Sequence, residues 1–104
     1  MIRTVYKFTF DDSVAMVDVE RILALSAIPV ESIHGESAML VDGRFAVNRK
    51  RRTCLIDAES QLGNDLARVF TGFLNANAGG SFRVDFGETG ERLGDVLDLY
   101  GAFA

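Results

Sequence analysis

The chain has 104 residues, 48% of them hydrophobic and 10% aromatic, and a formal net charge of −4. That apolar content supplies a core and excludes a disordered chain, and the length argues for one domain. The acidic balance argues against general nucleic-acid binding and leaves only a local basic patch for it.

Residues Ile2 to Phe10 alternate as a strand. Ile2, Thr4, Tyr6, Phe8 and Phe10 share the face expected in the core, and Arg3, Val5, Lys7 and Thr9 share the face expected to be wet. Asp11, Asp12 and Ser13 supply helix caps. A helix is predicted from about Val14 towards Ile33, with Pro29 expected to kink or interrupt it and His34-Gly35 as its stop. This helix carries two apolar stripes. Ala15, Val19, Ile22, Leu23 and Val30 form one, and Val14, Val17, Ala24, Leu25 and Ile28 the other.

Residues Ser37 to Asp57 have two readings. Met39, Val41, Phe45 and Val47 stay in phase across Gly43, which favours one long strand from Ala38 to Asn48. The alternative is a hairpin with Asp42-Gly43 as a type I′ turn. Under either reading Asn48 to Arg51 is a turn and Arg52 to Asp57 a strand. A second helix follows, with Leu62, Leu66, Val69, Phe70, Phe73 and Leu74 at spacings of three and four. Asp57, Ser60 or Asn64 starts it, Gly63 blurs its first turn, and Asn77 to Gly80 end it. Phe82, Val84 and Phe86 then alternate with Arg83 and Asp85 as a half-buried strand.

The tail from Gly87 to Ala104 is glycine-rich and then apolar. Leu93, Val96, Leu97 and Tyr100 fit a helical stripe capped by Thr89, and the same segment also fits a short strand. The order β-α-β-β-α-β implies an α+β, ferredoxin-like sandwich, an antiparallel sheet with both helices on one face. Residues 1–86 form its core, and residues 87–104 add a connector and an apolar tail.

The chemistry-bearing residues are few. Glu31 and His34 form a lone Glu-x-x-His, and His34 is the chain's one histidine, so a metal centre of the kind built from paired motifs is not expected. Gly87, Gly90 and Gly94 do not make a G-x-G-x-x-G phosphate loop. Asp11 with Asp12 and Asp95 with Asp98 match no metal loop. Cys54 sits in an apolar strand without an evident base and is expected to be an inert packing residue. No catalytic residue, cofactor or metal is therefore assigned. Arg49, Lys50, Arg51 and Arg52 concentrate positive charge in a turn that suits a polyanion or simply protects a sheet edge. Stacking aromatics of the RNA-recognition type are missing from the expected wet face.

A lone cysteine cannot form an internal disulfide and points to a reducing, cytoplasmic compartment. No signal peptide follows Met1, and no apolar run reaches the ~20 residues of a membrane span. The leading expectation is a non-enzymatic binding or assembly module that associates with itself. Leu25, Ile28, Val96 and Tyr100 are its interface candidates, because the second stripe of the first helix and the apolar tail lack internal cover. The alternative is a small anion or nucleic-acid binder using Arg49, Lys50, Arg51 and Arg52. An enzyme with an unrecognised site ranks third.

Overall fold

The computed structural model describes residues 3–77, 81–90 and 94–95. Its elements are β1 (Arg3–Phe10), α1 (Met16–His34), α2 (Glu36–Asp42), β2 (Arg44–Asn48), β3 (Thr53–Asp57), α3 (Gln61–Asn77), β4 (Phe82–Thr89) and the two-residue β5 (Gly94–Asp95). The fold is α+β, an open antiparallel sheet with three helices. The strands lie in the order β4-β1-β3-β2-β5. Phe8 pairs with Cys54 on one side and Val84 on the other, and Phe45 pairs with Ile56, so the apolar positions of the central strands share one face.

That face makes the core. Phe8, Phe10, Phe45, Cys54 and Ile56 are packed into one cluster with Val19, Leu23 and Val30 of α1, Met39 of α2, and Leu66, Phe70 and Leu74 of α3. Phe8 and Phe70 meet edge to face with ring centres 4.8 Å apart, a geometry in which the positive ring edge meets the negative face. On the opposite face Val5 and Leu55 form a smaller buried cluster with Ala46. The expectation that Val5 lies on a wet face is thus corrected.

The first helix differs from expectation at its start. It begins at Met16, and Ala15 at the N-cap offers no side-chain bond. Asp11 instead accepts hydrogen bonds from the Ser13 backbone and hydroxyl and from the Ser81 backbone N–H. It thereby ties the end of β1 to the start of β4. Pro29 does not interrupt α1, which continues to His34 and stops at Gly35, whose φ of 92° suits a residue without Cβ. Buried Ser26 satisfies its hydroxyl on the Ile22 carbonyl, 2.7 Å away.

Neither reading of Ser37 to Gly43 survives. Glu36 to Asp42 is a helix, and Gly43 closes it by donating to the Met39 carbonyl at 2.9 Å. Gly43 has φ −80°, which rules out a type I′ turn. Ala38, Met39 and Leu40 are good helix formers, and that propensity wins over a period-two pattern of only two residues, Met39 and Val41. Of these seven residues only Met39 is buried.

The helix α3 follows its stripe closely. Leu62, Leu66, Phe70 and Leu74 are buried, while Phe73 lies at the rim. Ser60 is the cap, its hydroxyl accepting from the Gly63 N–H at 2.9 Å. The tail expectations fall partly outside the described residues, which include none of Leu93, Val96, Leu97, Tyr100 and Phe103. Thr89 ends β4 rather than capping a helix, and Gly94 and Asp95 pair with Phe45 and Arg44 as a strand.

Candidate association surfaces and the basic turn

The two stripes of α1 have separate fates. Val19, Ile22, Leu23 and Val30 turn inward, together with Ala27. Of the second stripe Val14 is buried, whereas Val17, Leu25 and Ile28 are 45%, 50% and 54% exposed. Phe73 of α3 stands beside this surface. Asp18, Arg21, Ile22, Leu25, Phe73 and Asn77 line a shallow cleft between the two helices. Asp18 and Arg21 pair across one helical turn at 3.2 Å at its rim. The interface candidates Leu25 and Ile28 are therefore adjacent and solvent-facing. Val96 and Tyr100 lie outside the described residues.

The four basic residues do not act as one patch. Arg49 donates to Glu20 of α1 at 2.6 Å. Arg52 has φ 56° and turns its guanidinium back onto the loop after β1, donating to the carbonyls of Phe10, Asp11 and Val14. The Arg51 backbone N–H is held by the Asn48 side chain at 3.0 Å, which sets the turn. Lys50 and Arg51 keep exposed side chains without a described partner. The turn thus carries two engaged cations and two without a partner among the described residues.

Cys54 is fully buried, and that burial pushes its thiol pKa upward, away from the reactive thiolate. His34 is engaged by a different carboxylate from Glu31. The His34 ring nitrogen Nε2 lies 2.7 Å from an Asp65 carboxylate oxygen, joining the end of α1 to the start of α3. Among the described residues no group of three or more His, Cys, Asp and Glu side chains is arranged to hold a metal ion. Gly87 sits inside β4 and Gly94 inside β5, so the glycines do not form a loop between a strand and a helix.

The Asp65 carboxyl is held below its ordinary value of 3.8 by the hydrogen bond it accepts from His34, then by that from Gln61 and by the nearby charges of His34 and Arg68, against the opposing effect of burial. A depressed carboxylate stabilises the fold above its unfolded pKa, and the contribution disappears as pH falls through the folded value. Chemical denaturation should therefore show Asp65→Asn to be less stable than the parent at pH 7. The two should converge as the pH drops below 3.8. A gap that stays constant down to pH 2 would assign the effect to packing.

One surface escapes the reading of periodicity. The apolar side of β4 is expected to be buried, yet Val84 is 40% and Phe86 66% exposed. The reason is position, since among the described residues β4 is the outer strand, paired only with β1. Tyr6 and Phe86 meet edge to face at 5.3 Å, and a groove between β4 and α3 is lined by Tyr6, Phe8, Ala67, Arg68, Thr71 and Val84. Alternation identifies a face but not what covers it, so only the strand order could expose this surface.

Comparison with known proteins finds no matching family, no similar curated protein and no similar solved structure. No described helix is long and apolar enough to cross a membrane.

Proposed function

We propose that the protein is a non-enzymatic, cytoplasmic assembly or binding module that associates with itself, built on a ferredoxin-like sandwich with α2 as an added helix. What supports the fold reading is the order β4-β1-β3-β2 with antiparallel neighbours, and a shared core between one sheet face and the helices α1 and α3. The observation that carries the function is the exposed apolar surface of α1, with Leu25 and Ile28 each about half exposed and Leu25 sharing a cleft with Phe73. Contiguous apolar surface of this kind marks interaction sites, because burying it releases ordered water at little polar cost.

Light scattering at micromolar concentration should report more than one chain per particle. Leu25→Glu places a charge in the helical contact, which should lower the mass while the circular dichroism spectrum stays that of the folded protein. A single-chain mass for the parent across the accessible concentration range rejects the proposal.

A further inference from the structure

The edge of the sheet formed by β4 offers a specific way for two copies to meet. Among the described residues β4 pairs only with β1. Its residues from Arg83 to Glu88 are exposed, and it contains no proline. An edge strand of this kind templates another strand unless it is blunted by like charges, proline or a bulge. The charges on β4 do not blunt it. Arg83 and Asp85 lie on the same face with side chains 73% and 53% exposed, and they pair with each other at 3.0 Å.

We infer that β4 is the docking strand for a second copy of this chain, pairing antiparallel about a two-fold axis at Val84 to make one continuous sheet. The inference rests on the self-association reading and adds to it a second surface, apart from the helical face around Leu25. A two-fold axis perpendicular to the sheet keeps each side chain on its own face, so the axis must pass through a residue position. Placed at Val84, it sets Arg83 opposite Asp85 of the second copy and Asp85 opposite Arg83. On the other face it sets Phe82 opposite Phe86, with the two Val84 side chains between them.

Other placements lose these matches. An axis at Asp85 puts two carboxylates directly opposite, and one at Arg83 puts two guanidinium groups opposite, both unfavourable for cross-strand neighbours. An axis at Phe86 sets Val84 against Glu88 and leaves Arg83 and Asp85 without opposite charges. The pattern Phe-Arg-Val-Asp-Phe is therefore self-complementary in a single register, which favours a second copy over an unrelated strand.

Three cysteine variants read the register. Directly opposed residues of an antiparallel pair have Cα atoms ~4.5–5.5 Å apart, within disulfide reach. Val84→Cys should oxidise to a covalent dimer. Phe82→Cys should not, because its two copies lie four positions apart, but mixed with Phe86→Cys it should cross-link. Arg83→Asp and Asp85→Arg should each weaken association at least tenfold by placing like charges in opposition. An equimolar mixture of those two variants should restore it, since every cross-strand pair is then opposite in charge.

A parent mass above one chain, with no Val84→Cys dimer and no rescue on mixing, overturns the β4 inference. It leaves self-association through the helical face standing. A parent mass of one chain overturns both. The cysteine variants carry the test alone if a charge variant does not fold.

Discussion

Gly63→Ala is expected to lower stability by about 3 kcal/mol, whereas Gly72→Ala, in the same helix, is expected to raise it by about 1 kcal/mol. In an open helix alanine is preferred over glycine because it restricts the unfolded backbone more. Gly72 is in that situation, with nothing within 4 Å of where its Cβ would stand. A Cβ at Gly63 would stand 2.0 Å from the backbone oxygen of Asp57 and 3.0 Å from its carbonyl carbon. Both are backbone atoms at the end of β3, so no side-chain rotation relieves the clash. The helix must move away from the strand, and it takes buried Leu62 and Leu66 with it. The accommodation also strains the Ser60 cap, whose hydroxyl sits 3.2 Å from the same Cβ position. Urea denaturation of the two variants checks the prediction by the opposite signs of their midpoint shifts at unchanged slope. Equal, stabilising shifts would show that α3 does not approach β3 this closely.

Gly63 also shows what a single sequence conveys. Its effect on helix propensity is readable, but the reason for it is a contact between two elements and has no local signature. The stripe of α3 is readable because Leu62, Leu66, Phe70 and Leu74 are all buried in the one core. The double stripe of α1 correctly signals more apolar surface than one neighbour covers, and it leads to Leu25 and Ile28. Alternation fails where the pattern is short. Met39 and Val41 resemble a strand only because the flanking Phe45 and Val47 extend their phase, and a helix of seven residues interrupts it. The basic turn is legible as a concentration of charge. That Arg49 and Arg52 are engaged follows from where Glu20 and the loop after β1 come to lie, which the charge count does not contain. For β4 the face is legible and the exposure is not, because exposure depends on strand order.

Arg52→Met is expected to destabilise the protein by about 2–3 kcal/mol, the scale of charge-assisted hydrogen bonds whose acceptors lose their donor. The guanidinium donates from Nη2 to the Asp11 carbonyl at 2.6 Å, from Nε to the Phe10 carbonyl at 3.3 Å, and from Nη2 to the Val14 carbonyl. One side chain thus fixes the passage from β1 into α1, where no side chain caps the helix. Methionine keeps the apolar stem and removes the fork, so the loss isolates the hydrogen bonds. Arg52→Lys should recover only part of the stability, since an ammonium lacks the planar geometry that reaches several carbonyls at once. Arg52→Gly supplies a second control, because the backbone φ of 56° is left-handed and glycine relieves its cost of roughly 1 kcal/mol. The order of stability expected from guanidinium chloride denaturation is therefore Arg52, then Lys and Gly, then Met. Neutralising Lys50 and Arg51 together should leave stability within about 0.5 kcal/mol, as for exposed surface positions. A test of polyanion binding on heparin should therefore alter Lys50 and Arg51 and leave Arg52 in place, so that lost retention reports charge rather than unfolding. If Arg52→Met were as stable as the parent, the guanidinium would be a solvated cation, and Arg52 would join Lys50 and Arg51 as available to an anion while Arg49 stays with Glu20.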